Sequence, residues 1–375
     1  MLEFLLIFLI CILYGMHEKR KNNERQTVGI TVSSLTDTDA EPEKSINPAI
    51  DVHIKENQVD TSRIISYTGE DVKKFEFRPQ TWVQFISQEH AKEEVKTIVK
   101  KVKRGIRGHM ILSALKGSGK TTFIELFAKE LGAKLIERIG RQIDEDNVID
   151  IFNEINASKE EHVVLFVDEI DSCDWKVLKI FNTVIEQFKI NEKKIKPFIF
   201  ASATISKHLL VKNNPDLLDR IPHHIQFVRY SAENIAEILT QYKNQLYPND
   251  NVSDKTIMTI AQNCKFNPRT SISLLEDYVV EQNMTKVLRN RHIIADGLDI
   301  FDIKILDVLA HSNRAIGSNA LSLKVGMGEQ QYLREIEPFL LEFGYIQRVP
   351  SRQITASGLE FLRKVQEQLT LQTKE

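Results

Sequence analysis

Cysteine is scarce in this 375-residue chain, with only Cys11, Cys173 and Cys264. None forms a C-x-x-C pair, which argues against a disulfide framework or a zinc site built on such pairs. Ten histidines include His223-His224 but no H-E-x-x-H, so they read as structural or surface groups. An excess of charge is missing too. Fifty Lys and Arg stand against 52 Asp and Glu, a net charge of −2. Phosphate binding needs clustered cations, so any contact with nucleic acid has to come from a local patch. No internal repeat is evident. The remaining totals, 42% hydrophobic and 27% charged, are those of a soluble globular protein with room for two or three domains.

Long apolar runs are absent except at the start, where Phe4–Met16 reads FLLIFLICILYGM and is followed by His17-Glu18-Lys19-Arg20-Lys21. The run falls short of the roughly 20 residues that span lipid. It lacks the positive charge before, and the small residues after, that a secretory signal carries. Cations behind it place the rest in the cytoplasm. Residues 1–21 are therefore expected to be a short anchor on the inner face of a membrane. A buried or interfacial helix, or a start placed too early, is the alternative. Residues 22–74 are polar and aperiodic, with TDTDAEPEKS at Thr36–Ser45, and are expected to be a flexible linker.

From Phe75 the pattern changes. Ala91–Val102 repeats apolar residues at helical spacing, Met110-Ile111-Leu112 is a short apolar strand, and Thr122–Leu131 reads as a helix closed by Gly132. HVVLFV at His162–Val167 and FIFA at Phe198–Ala201 are further strands without polar alternation. Such strands are buried on both faces, and strands alternating with helices predict an α/β fold with a parallel sheet over 75–230. Ser231–Asp296 reads as wholly helical, with Ser231 and Ser253 as N-caps. From Gly297, helices at Phe301–Ala310 and Glu329–Phe343 precede YIQRVPSRQIT, a strand, a turn at Pro350-Ser351 and a second strand. Helices followed by a two-stranded ribbon predict a winged helix over 297–375.

The chemistry starts at SALKGSGKTT, Ser113–Thr122. A loop between a strand and a helix can wrap backbone N–H groups around phosphates, helped by the helix dipole. Gly117 and Gly119 allow close approach, with Ser118 between them and Thr122 behind. Lys120 can reach the outer phosphates, and Thr121 can place its hydroxyl on Mg²⁺. Ala114 stands where the strict motif has glycine, which costs little if its torsions are ordinary. VVLFVDEI ends a strand with Asp168-Glu169. In P-loop enzymes such an Asp shares the metal with the loop Thr, and its neighbour can polarise an attacking water. ATP and Mg²⁺ are the expected ligands.

The order of these motifs resembles the AAA+ Holliday-junction branch-migration motor family RuvB. FRPQTWVQFISQEH is similar to its RP-x-T-x-x-x-F-I-G-Q-E, with Ser87 for glycine. GSGKTT, FVDEI and SAT follow in order, NPRTSISLL resembles its sensor-2 segment, and GLDIFDIKIL, NALSLKVG and EPFLLEFGYIQRVPSRQIT resemble its winged helix. The likeness covers roughly four-fifths of the chain, from about Phe75 to Leu369. It implies a P-loop AAA+ domain, a helical lid at 231–296 and a winged helix. It also implies a homo-hexameric ring that moves double-stranded or branched DNA during recombination and repair. Arg220 in LLDRIP matches the arginine finger lent to a neighbour's ATP, Arg269 matches sensor 2, and Arg348 and Arg352 match DNA-contacting residues beside the wing.

Three departures stand out. The sensor-1 position falls on Ile205, which cannot hydrogen-bond water, so Thr204 has to substitute. The two prolines of the family's phosphate loop are Leu115 and Lys116. EQFKINEKKIKPF, Glu186–Phe198, is a short charged link where the family has a hairpin that docks RuvA, so a partner of the RuvA type is not expected. Two main readings stay open: an ATP-driven DNA motor, or a nucleotide-switched DNA- or protein-binding module at the membrane that does not translocate; a third, disfavoured by the winged helix, is an AAA+ remodeller of protein substrates.

Overall fold

The computed structural model describes residues 77–190, 192–205, 215–348 and 350–372. The apolar start and the linker, and with them the expected anchor, lie outside these residues. Among the described residues no helix is long and apolar enough to cross a membrane. Of the described residues, those up to Val365 belong to one compact unit. It holds everything described below except residues 366–372, the end of the last helix.

A five-stranded, all-parallel sheet forms its centre. Helix α1 (Glu89–Val102) leads to β1 (Met110–Ser113), α2 (Lys120–Leu131), β2 (Lys134–Ile139), α3 (Val148–Ala157), β3 (Val163–Asp168) and α4 (Trp175–Gln187). A small hairpin, β4 (Lys189–Ile190) and β5 (Lys193–Lys194), precedes β6 (Ile199–Thr204), α5 (Pro215–Arg220) and β7 (His223–Gln226). The strand order is β2-β3-β6-β1-β7. Val163, Val164, Leu165, Phe166 and Val167 are each at most 1% exposed, because helices cover both faces. One face packs Phe152, Phe181 and Phe200. The other packs Phe85, Phe123 and Phe227, whose rings meet edge to face at 5.0–6.3 Å.

Two strands lack the apolar run that marks the others. β2, KLIERI, and β7, HHIQ, are the edges, half covered and therefore mixed in composition. The stretch Glu186–Phe198, expected to be a link, instead contains the β4–β5 hairpin. Glu192 turns it with φ +64°. Ser87, standing where the family resemblance has glycine, adopts φ +64°, a conformation that costs a side-chain-bearing residue about 1–2 kcal/mol.

The helices α6 (Ala232–Leu246), α7 (Asp254–Gln262), α8 (Pro268–Glu281) and α9 (Met284–Asn290) build their own core around Leu239, Ile260 and Leu275. Ser231 and Ser253 cap α6 and α7, accepting from Asn234 and Thr256 N–H groups, so the caps read from sequence are present. A hairpin of β8 (Ile293–Ala295) and β9 (Leu298–Asp299) leads into α10 (Ile300–Ala310) and α11 (Ser318–Val325). After the Gly326–Gly328 turn, a helical stretch passes from Glu329–Gln331 through a π segment, Tyr332–Ile336, into α12 (Glu337–Glu342). The wing is β10 (Ile346–Arg348) paired antiparallel with β11 (Arg352–Ile354), and α13 (Ala356–Gln372) ends the described chain.

His109 shows how tightly the sheet is packed. It is 1% exposed beside the Phe188 and Phe198 rings, and its Nδ1 accepts the Phe200 N–H at 2.9 Å. Burial lowers its pKa from 6.5 to about 4. The folded state therefore resists a proton that the unfolded chain takes up below pH 6.5. Its contribution to stability is intact above that pH and declines between pH 6.5 and 4, by about 3 kcal/mol in all. Denaturant titrations across this range should show a shallower fall for His109→Asn, which keeps an acceptor for Phe200 but cannot be protonated.

Candidate nucleotide site and DNA-binding elements

The sheet order sets the site. β3, β6 and β1 lie side by side and parallel, so their carboxyl ends open on one edge. Asp168 ends β3, Thr204 ends β6, and the glycine loop follows β1. Adjacent strands are about 5 Å apart, which gathers the three within reach of a single small ligand. The Ala114 N–H donates to the Thr204 carbonyl at 3.1 Å, tying the root of the loop to β6. Ala114 itself has no left-handed torsion, and its methyl group is buried in the core, so alanine is accommodated without strain.

A cleft of about 590 Å³ opens there, within the range of small-molecule sites. One end is lined by Lys116, Gly117, Ser118, Gly119, Lys120, Thr121 and Thr122, with Asp168, Glu169, Thr204, Ile205 and Arg269 facing them. The other end is lined by Phe77, Pro79, Ile238, Tyr242 and Ile272. A polar basin joined to an apolar slot suits a phosphorylated molecule with a flat apolar head. Lys120 is buried, and its ammonium donates to the Ala114 and Leu115 carbonyls, both at 3.0 Å. Burial lowers its pKa; Asp168 opposes that, and Arg269 adds to it. A cation held in a dry site with only neutral carbonyl partners is poised for an anion.

The lid closes on this loop through α8. Asn267 caps α8, accepting from the Arg269 and Thr270 N–H groups at 3.0 and 3.3 Å, while its Nδ2 donates to the Lys116 carbonyl. Arg269 thus stands in the first turn of α8, over the glycine loop. The approach requires Gly117. Its φ is +83°, and a Cβ there would lie 2.5 Å from Asn267 Oδ1. Tyr230 adds a second tie, its hydroxyl donating to the Ser118 carbonyl at 3.1 Å.

Glu169 sits at φ +52°, its carbonyl accepting from the Ser172 hydroxyl at 2.6 Å. Gly140 packs so closely beneath it that a Cβ would lie 2.4 Å from the Glu169 carbonyl oxygen. Arg334, in the π segment of the winged helix, approaches the Glu169 carboxylate at 3.7 Å. Arg220 does not line the cleft of its own chain. It pairs with Glu186 at 3.2 Å and donates to the Asp216 carbonyl at 2.8 Å.

The two arginines beside the wing part company. Arg348 is exposed. Arg352, expected at a DNA phosphate, is 6% exposed, and its Nε and Nη2 both donate to the buried Glu337 carboxylate beneath Tyr332. A guanidinium committed to a buried carboxylate on both nitrogens cannot also reach the surface, so its role is to lock the wing onto α12. Sequence reasoning missed that ion pair, since Glu337 and Arg352 carry no local pattern. It also missed Asn267 as a bridge, Arg78 and Arg141 on the cleft wall, and Asp171, which accepts from the Thr204 hydroxyl at 2.9 Å.

The comparisons follow this geometry. Residues 77–197 match the Holliday junction DNA helicase RuvB P-loop domain, and residues 295–363 match the RuvB C-terminal winged helix domain, together just over half of the chain. The chain belongs to the RuvB-like AAA+ proteins. It is 29% identical over 311 residues to the Holliday junction branch migration complex subunit RuvB of Ureaplasma urealyticum, covering 78% of this chain and 97% of that protein. The Mycoplasma genitalium RuvB is 28% identical, over 76% of this chain and 97% of its own. The structure of the Thermotoga maritima RuvB Holliday junction branch migration motor superposes with a TM-score of 0.65 at 28% identity, covering 76% of this chain and 98% of that one. The α/β AAA+ fold with a lid and a C-terminal winged helix is therefore as expected.

The bridge from lid to loop is testable by itself. Asn267→Ala should lower stability by about 1 kcal/mol through loss of the cap. Asn267→Asp should keep the cap but lose the bond to Lys116. Thermal unfolding separates the two, and proteolysis of residues 231–296 should accelerate in both variants.

Proposed function

We propose that this RuvB-like chain is an ATPase that drives branch migration or translocation on double-stranded or branched DNA, working as a ring of identical subunits with parts at 75–230, 231–296 and 297–375. The observation that carries the reading is the alignment of Lys120, Asp168 and Glu169 along one sheet edge beneath a lid-borne arginine. In this reading, amides of Gly117–Thr122 and the Lys120 ammonium hold the phosphates, and Arg269 steadies the outer charge. Thr121 and Asp168 would hold Mg²⁺, which neutralises phosphate charge when bound. Glu169 takes a proton from the attacking water. Arg220 faces away from its own cleft, as an arginine lent to the neighbouring copy must. Such a residue is worth on the order of 10³–10⁵ in rate.

DNA contact falls to the wing. The helical stretch 329–342 presents Glu329, Glu335 and Glu342 against Arg334, which opposes insertion into a groove. Arg348 is left to touch phosphate, positioning the protein without reading bases. The β4–β5 hairpin turns Ile190 inward and leaves Lys189, Lys193 and Lys194 exposed. It offers no apolar face to a RuvA-type partner, so we infer that any such partner docks elsewhere.

The test uses the full chain. ATP turnover should rise with four-way DNA. Glu169→Gln should abolish turnover while nucleotide affinity persists. Arg220→Ala should lose turnover alone but restore part of it when mixed with Lys120→Ala, since each variant supplies what the other lacks. Arg348→Ala should reduce the salt slope of DNA binding by about one. Turnover without movement of strands in a branch-migration assay would favour a switch over a motor. No affinity for ATP with Mg²⁺ would end both.

A further inference from the structure

Hydrolysis needs the attacking water to aim a lone pair at phosphorus. That orientation is fixed when both of its hydrogens are taken by acceptors. Glu169 supplies one acceptor. Ile205, at the position where the family resemblance puts a polar group, has none to offer, although it lines the cleft.

Thr204 lines the same cleft while its side chain is almost wholly enclosed, at 1% exposure. Its hydroxyl donates to Asp171 Oδ1 at 2.9 Å. A carboxylate can only accept, so the direction of this bond is settled by chemistry. The hydroxyl has one hydrogen, and it is spent on Asp171. With that hydrogen donated to Asp171, the hydroxyl has only acceptor capacity left for a ligand and cannot donate to phosphate through it.

Asp171 is held for this task. It lies in the single-turn helix Ile170–Ser172 directly behind Glu169, and the Ser172 N–H and hydroxyl both donate to the Glu169 carbonyl, at 2.8 and 2.6 Å. The same short turn therefore fixes Glu169 and Asp171 relative to one another. Asp171 is also near enough to Lys120 to act on its ammonium.

We infer that Asp171 is a positioning residue for hydrolysis, holding Thr204 as the second acceptor for the attacking water. This rests on the ATPase reading above. The water oxygen forms a bond to the γ-phosphorus, and the bond to the β,γ-bridging oxygen breaks, its electron pair leaving on ADP. One water proton passes to Glu169. The other stays on the new phosphate, having been directed toward Thr204 during attack. Asp171 never touches the substrate. Its negative charge keeps the threonine hydrogen pointing away from the water.

Steady-state turnover and nucleotide affinity, measured on the full chain with Mg²⁺ and ATP, test this. Thr204→Val, nearly isosteric, should lower kcat about 100-fold with Kd for ATP changed less than about threefold. Thr204→Ser should recover most of the rate. Asp171→Asn, which keeps an acceptor oxygen but loses the charge, should lower kcat roughly tenfold. The double variant Asp171→Ala with Thr204→Val should be no slower than Thr204→Val alone, because both changes remove one interaction. A purely structural role would make the two losses add and would move Kd. Should Thr204→Val fail to fold, the Thr204→Ser and Asp171→Asn pair reads the same relation. Full turnover in Thr204→Val, or additive losses, overturns the inference while leaving the ATPase reading intact. A wild-type chain that binds no ATP overturns both.

Discussion

One constraint organises the molecule: three parallel strands, buried on both faces, end side by side. Parallel strands need helices above and below, and those helices exclude water from the whole length of β3, β6 and β1. The buried strands cannot shift register without exposing Val, Leu and Phe side chains, each worth about 1.5–3 kcal/mol of burial. The carboxyl edge is consequently the one place where polar side chains meet a cleft, and their spacing is inherited from the sheet. Asp168 and Thr204 are placed by a core that has nothing to do with phosphate. The bond from Ala114 N–H to the Thr204 carbonyl then fixes the glycine loop to the same frame.

The lid and the winged helix are tied to that edge by few but directional contacts. Asn267 and Tyr230 bond to loop carbonyls. Arg229 lies over the Phe343 ring at 4.2 Å and the Phe266 ring at 5.2 Å, bringing the segment after β7, the lid and the winged helix to one point. Beside it Lys265 pairs with Asp299 at 3.3 Å and with Asp302 at 2.5 Å. Burial pushes the Asp302 carboxyl up to about 6 even against the nearby ammonium. Arg334 carries the connection onward to Glu169. A displacement of the winged helix would therefore be felt at the end of β3, where Glu169 stands.

Much of this was legible in the sequence, and the exceptions share a cause. VVLFVD, FIFASA and MIL announce buried strands because burial on both sides demands uninterrupted apolar residues. KLIERI and HHIQ do not, because an edge strand is half exposed and its composition is shaped by solvent. Ser231 and Ser253 were readable as caps, since capping is local chemistry. The second bond of Asn267, to Lys116 some 150 residues away, is tertiary and leaves no local mark. Thr204 was singled out from the isoleucine beside it, but its partner Asp171 looked like any other acid after a strand.

Arg352 makes the same point about charge. A basic residue at the root of a wing looks like a phosphate contact, and nothing in its neighbours says otherwise. Only the packing brings Glu337 beneath it, and once both are buried the pair is a structural bolt: truncating either side would strand a charge in a dry interior, typically at 3–5 kcal/mol. The charges that stay at the surface are Arg348 at the wing and, elsewhere in the same domain, Arg314, Lys324, Arg363 and Lys364, with Glu335 and Glu342 on the neighbouring helix. Charge read from a sequence is thus a set of candidates, and burial decides which of them stay at the surface.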